Sequence, residues 1–134
     1  LIQPMLHKTR DSYNLDVISQ QLAEVALADQ AYAKSVWEQV RLSRSDLCRD
    51  LQALGLQVEA SESNFLLATV PPECPLSAET LYEGLKARHI LVRYFSHDRL
   101  QDKLRITVGT AQENHQLSHH LAALIQGEAL SAST

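Results

Sequence analysis

The chain has 134 residues, 45% hydrophobic and 21% charged, enough for one small domain with its own core and too few for two ordinary ones. Sixteen acidic residues against twelve basic give a net charge of −4, which argues against broad nucleic-acid binding and against disorder while leaving room for a local anion site. Only Cys48 and Cys74 are present, with no C-x-x-C pair, so a disulfide scaffold and a structural zinc site are excluded and a reducing cytoplasm is expected. No run reaches the about 18 apolar residues of a membrane span, and residues 1–10 lack a signal-peptide layout. The chain opens on leucine rather than methionine, so a piece of something longer is expected.

Residues 1–15 have weak periodicity and read as a lead-in. Asp16 is placed to cap a first helix whose apolar positions are Ile18, Leu22, Val25 and Ala26. Asp29 marks a new cap and a break. The second helix carries Val36, Val40, Leu47, Leu51 and Leu54 on one face and charged residues on the other, and Gly55 supplies a left-handed stop. The period then changes from about 3.6 to 2. Leu56, Val58 and Ala60 alternate as one strand, 61–64 is a turn, and 65–70 is a second strand ended by Pro71-Pro72. Ser77 caps a helix containing Leu81 and Leu85; 90–95 and 104–108 are strands three and four. Thr110 and Glu113 have capping-box spacing ahead of a helix with Leu117, Leu121, Leu124 and Ile125. The order ααββαββα, with no repeat and no linker long enough to divide two domains, predicts a two-layer α+β fold: a small, mostly antiparallel sheet with helices on one face. The domain proper is placed at 16–126, and 127–134 is expected to fray.

Residues 86–105 carry six basic and two acidic side chains, a net +4 in a chain that is acidic elsewhere. Arg93 and Arg105 each sit inside an apolar strand. A guanidinium stays charged, is costly to bury unpaired, and has a rigid fork that suits a carboxylate or phosphate. If strands three and four are neighbours, both heads can serve one anion; otherwise each faces solvent or pairs with Glu59 or Asp98. His115 and His119 form the sole i, i+4 histidine pair on a helix, without an evident third ligand, so no metal is expected. Cys48 lies beside the Leu47/Leu51 stripe and reads as packed. Gly109 reads as a strand-to-helix turn rather than a phosphate loop. No lysine or serine has a neighbouring base, so the residues themselves offer binding groups and no reaction centre.

The run Leu104-Arg105-Ile106-Thr107-Val108-Gly109-Thr110, followed by Glu113-Asn114, closely resembles the C-terminal segment of histidinol-phosphate aminotransferases, pyridoxal-phosphate enzymes of the aspartate-aminotransferase fold. Tyr13-Asn14-Leu15, Ser63-Asn64-Phe65 and Ile90-Leu91-Val92-Arg93 are similar to further landmarks of that family, in its order, and the likeness covers residues 10–126. Phosphothreonine decarboxylases share this small domain, but Thr107 to Thr110 looks more like the aminotransferase branch.

The resemblance implies the small C-terminal domain of such an enzyme, with residues 1–15 leading in from a large domain. Arg105 falls on the arginine that grips the substrate's anionic end, and Arg93 on a second arginine that contacts the substrate phosphate. The Schiff-base lysine, the aspartate under the pyridine nitrogen and the cradle for pyridoxal phosphate are expected in the large domain; Lys8 is not assigned to that role. This piece is therefore expected to hold no catalytic residue, no bound cofactor and no transaminase activity of its own. The complete enzyme is expected to be a homodimer that exchanges an amino group between histidinol phosphate and 2-oxoglutarate. His89 stands where the family commonly has glycine, so the backbone there either avoids positive φ or the histidine tolerates it. The alternatives from the residues themselves are a stand-alone anion-binding or regulatory module and a helical adaptor built on 36–54; the resemblance leaves open an aminotransferase of the same branch acting on another amino acid.

Overall fold

The structure, a computed structural model, describes residues 2–9 and 15–127. The chain falls into two compact units, Leu1–Val36 and Trp37–Thr134. The first holds α1 (Gln3–Thr9), α2 (Val17–Ala28) and the start of α3 (Gln30–Ala53). The weak pattern of the lead-in thus conceals a seven-residue helix, and the order ααββαββα begins after it. Asp16 caps α2, its carboxylate accepting from the Ser19 amide at 2.9 Å, and Asp29 does the same for α3 through the Tyr32 amide at 3.1 Å. None of the twelve residues of α2 is buried, although Val17, Ile18, Leu22, Val25 and Leu27 are apolar.

In the second unit α3 continues to Ala53, with Leu47 and Leu51 fully buried. Gly55 adopts φ +86, and the Leu56 amide donates back to the Leu51 carbonyl, which closes the helix as the glycine stop predicts. Four strands follow: β1 (Gln57–Val58), β2 (Phe65–Thr69), β3 (Arg93–Tyr94) and β4 (Lys103–Thr107). They form one antiparallel sheet in the order β1-β2-β4-β3. β1 and β3 are shorter than the alternation predicts, each reduced to two paired residues. At β3 the reason is local: the Ile90 amide, a donor a longer strand would use, is taken by the Leu85 carbonyl.

Between β2 and β3 runs α4 (Ala78–Lys86), capped by Ser77, whose hydroxyl accepts from the Thr80 amide at 3.1 Å. The last helix, α5 (Ala111–Gln126), starts at a complete capping box and ends at Gly127 with φ +73. Leu66 and Ala68 of β2 and Leu104 and Ile106 of β4 point into a core closed by Leu81 and Leu85 of α4 and Leu117 and Leu121 of α5. These four strand residues alternate with Phe65, Leu67, Thr69, Lys103, Arg105 and Thr107, which lie on the opposite, open face. The architecture is the small α+β domain that the pattern predicts, with helices on one side of its sheet.

Candidate functional site: an arginine pair on the open sheet face

β3 and β4 are neighbours, and their register puts Arg93 directly opposite Arg105. Opposed residues of an antiparallel pair point to the same face with Cβ atoms about 5 Å apart. The two guanidinium groups therefore share the open face, and Arg105 has Leu67 of β2 on its other side. Both side chains are exposed. Among the described residues neither takes part in an ion pair; Glu59 and Asp98, the carboxylates that might have neutralised them, form none with either.

What surrounds the pair is aromatic. The Arg93 Cζ lies 5.4 Å from the centre of the Phe95 ring, and the Arg105 Cζ lies 5.9 Å from that same ring and 5.4 Å from the Phe65 ring. Phe65 is 37% exposed, large for a phenylalanine, and marks this face as uncovered. Residue spacing alone had singled out the arginines but not the rings, because the rings meet them only through the strand register. The signal available in the sequence was Phe95 two positions beyond Arg93, the period of one strand face.

The turn after β4 is held from below by Asn114, the one buried polar residue in the described core. Its Oδ1 accepts from the Gly109 amide at 2.9 Å and its Nδ2 donates to the Gly109 carbonyl at 3.2 Å. A side chain at 109 would lie 2.9 Å from Glu113 Oε2 and 3.3 Å from Asn114 Oδ1, so close approach, not backbone freedom, explains the glycine. The Glu113 carboxylate accepts from both the amide and the hydroxyl of Thr110, at 2.7 and 2.8 Å, and the backbone bond foremost holds its pKa below the usual range. Two amides at this helix start, those of Thr110 and Glu113, are thus already engaged, and Gly109 is a turn, as its isolation from other glycines suggests.

His89 adopts φ +60, so histidine occupies the left-handed position expected of glycine. It closes α4: its amide donates to the Lys86 carbonyl and the next amide to that of Leu85. His115 and His119 stack in parallel 6.4 Å apart, and among the described residues no three His, Cys, Asp or Glu side chains converge on a metal position. Cys48 is half-buried against the core. Tyr13 and Asn14 lie outside the described residues.

A family model for aminotransferases of class I and II matches residues 4–121. Histidinol-phosphate aminotransferase 1 of Trichormus variabilis is 50% identical over 121 residues, covering 90% of this chain and 34% of that protein. The histidinol-phosphate aminotransferase of Synechocystis is 47% identical over 124 residues, 92% of this chain and 34% of its own length. Among solved structures, the Sinorhizobium meliloti histidinol-phosphate aminotransferase in complex with pyridoxal-5′-phosphate superposes with a TM-score of 0.77 at 26% identity, over 92% of this chain and 34% of that one. The Clostridium acetobutylicum enzyme gives 0.78 at 18% identity, a likeness of fold. The chain spans about a third of the length of the curated relatives it matches. The lysines described here do not fit the cofactor. Lys8 and Lys34 are exposed, Lys86 pairs with Glu83 and Lys103 with Asp102, and none stands in an apolar pocket that would ready its amine for a carbonyl.

Proposed function

The chain belongs to the class I and II aminotransferase family, and from that premise we propose that it is the small domain of a pyridoxal-phosphate enzyme that moves an amino group between histidinol phosphate and 2-oxoglutarate. Its task in that reaction is to hold the phosphorylated end of the substrate with Arg93 and Arg105. The lysine and the cradle for the cofactor belong to the two thirds of the relatives' length that this chain does not span. The complete enzyme works as a homodimer in the cytoplasm, a setting that the free Cys48 and Cys74 of this chain suit.

The observation that carries this reading is the cross-strand arginine pair. Like charges directly opposite each other destabilise a sheet, and among the described residues no carboxylate pairs with either. A phosphate monoester, doubly charged above about pH 6, placed between the heads turns that repulsion into several charge-assisted bonds. Fixing the anionic end in this way orients the distant reacting carbon, which is how remote binding energy raises a rate.

The test is a paired measurement in the full-length enzyme on a phosphorylated and an unphosphorylated amino substrate. Arg105→Ala lowers kcat/KM for the phosphorylated substrate by roughly 10- to 1000-fold, about 1.4–4 kcal/mol of transition-state free energy. Arg93→Ala costs the phosphorylated substrate more than the unphosphorylated one. Equal losses on both substrates for both variants would refute phosphate as the shared ligand.

A further inference from the structure

We propose that Phe95 is a positioning residue for the anion site, its ring holding both guanidinium groups in place while leaving their N–H donors free; this rests on the reading of Arg93 and Arg105 as a phosphate clamp. Long arginine side chains on an open sheet face lose considerable rotamer freedom when an anion fixes them. Something must hold them beforehand if binding is to be strong. The usual device is a neighbouring carboxylate, which fixes a guanidinium by accepting its hydrogen bonds and cancelling its charge. Among the described residues neither arginine has one.

The electron-rich face of an aromatic ring attracts a cation within about 6 Å without using its donors. Phe95 stands at 5.4 Å from Arg93 and 5.9 Å from Arg105, so one ring serves both cations. Phe65 adds a second ring to Arg105 alone, at 5.4 Å. The arrangement restrains two like charges that the register forces together and keeps the full positive charge and the planar forks available to a dianion. Leucine at either position would fill similar space and lack the ring's field.

The experiment uses the 134-residue chain, isotope-labelled, with inorganic phosphate at pH 7.5 as the probe. The order parameters of the two arginine Nε–H groups are measured without phosphate, and the dissociation constant by titration. Phe95→Leu is expected to lower the order of both groups and to weaken phosphate roughly 3- to 10-fold. Phe95→Trp, which restores a ring face, should recover both. Phe65→Leu should loosen Arg105 and leave Arg93 as it was, a pattern that general loss of structure would not produce and that stands even where Phe95→Leu folds poorly. Unchanged order in Phe95→Leu, loosening of Arg93 by Phe65→Leu, or a tryptophan variant that behaves like the leucine one would each overturn the role of the rings while leaving the clamp intact. Failure of the clamp itself shows differently: phosphate binding that is absent, or that survives Arg105→Ala undiminished, removes the site and this inference with it.

Discussion

Replacing Asn114 by alanine tests how the turn beyond Arg105 is held. The asparagine grips Gly109 by both its amide and its carbonyl, at 2.9 and 3.2 Å, from a position that is 7% exposed. Two net hydrogen bonds are worth about 1 kcal/mol each, and alanine's better helix propensity returns about 0.6 kcal/mol. Gly109 is only half-buried, so water reaches part of what is abandoned and the desolvation penalty stays near the lower end, about 1 kcal/mol. The expected loss is therefore about 2–3 kcal/mol, read from urea unfolding followed by circular dichroism with an unchanged denaturant slope. Asn114→Asp sharpens the test. It keeps the acceptor for the Gly109 amide but sets a carboxylate against the Gly109 carbonyl, which raises its pKa in the folded state. The deficit of this variant relative to the parent should therefore shrink as pH falls and the carboxyl regains a proton to donate. A loss below about 0.5 kcal/mol for alanine, or an aspartate deficit that does not change with pH, would show that the paired bonds carry little of the turn's stability.

Three further outcomes follow from the same geometry. His89→Gly should stabilise the second unit by about 0.5–1 kcal/mol, because relief of the left-handed strain at φ +60 exceeds glycine's added entropy in the unfolded chain; a lower urea midpoint would contradict it. Gly109→Ala should cost about 1–3 kcal/mol, since the new methyl group displaces Glu113 from its cap on Thr110; a thermal midpoint equal to the parent's would show that Glu113 yields freely. Acid should destabilise in two stages. The His120 pKa is lowered, by burial first and then by His119 and Arg88, and its Nδ1 is buried with no hydrogen-bond partner among the described residues. The unfolded chain therefore takes up that proton first, and stability falls as pH drops below about 6.5. The lowered Glu113 carboxyl gives stability that is present above its ordinary pKa and is lost as pH falls through the folded value. His120→Leu should flatten the first stage and leave the second; a parent-like slope between pH 7 and 5 in that variant would rule out His120 as its source.

Features fixed by neighbours in sequence were the legible ones. Asp16, Ser77 and Thr110 each cap a helix through an amide three residues on, and Gly55 stops α3 through its own backbone, so spacing alone finds them. The alternation around Arg105 likewise reveals which face it occupies. What escaped depends on contacts across the fold. Arg44 reaches nineteen residues along the chain to the Ser63 carbonyl, and Phe65, on β2, and Phe95, the residue after β3, are thirty positions apart and meet at Arg105 only because those two strands flank β4. Asn114 was visible only as a letter in a family motif, because its grip on Gly109, five residues back in the turn after β4, follows no helix or strand period. The helix at Gln3–Thr9 lacks a regular apolar stripe and so gave periodicity nothing to detect.

The two-residue lengths of β1 and β3 bear on how the chain behaves in concentrated solution. Both outer margins of the sheet are these short strands, so neither offers a foreign chain more than a fragment of ladder on which to grow. Templated fibril growth needs a long, flat margin, and the described residues form none. Clumping of this chain, where it happens, must run through side-chain surfaces such as the apolar residues of α2. Such clumps disperse in mild detergent and scatter without the 4.7 Å cross-β reflection that marks stacked strands.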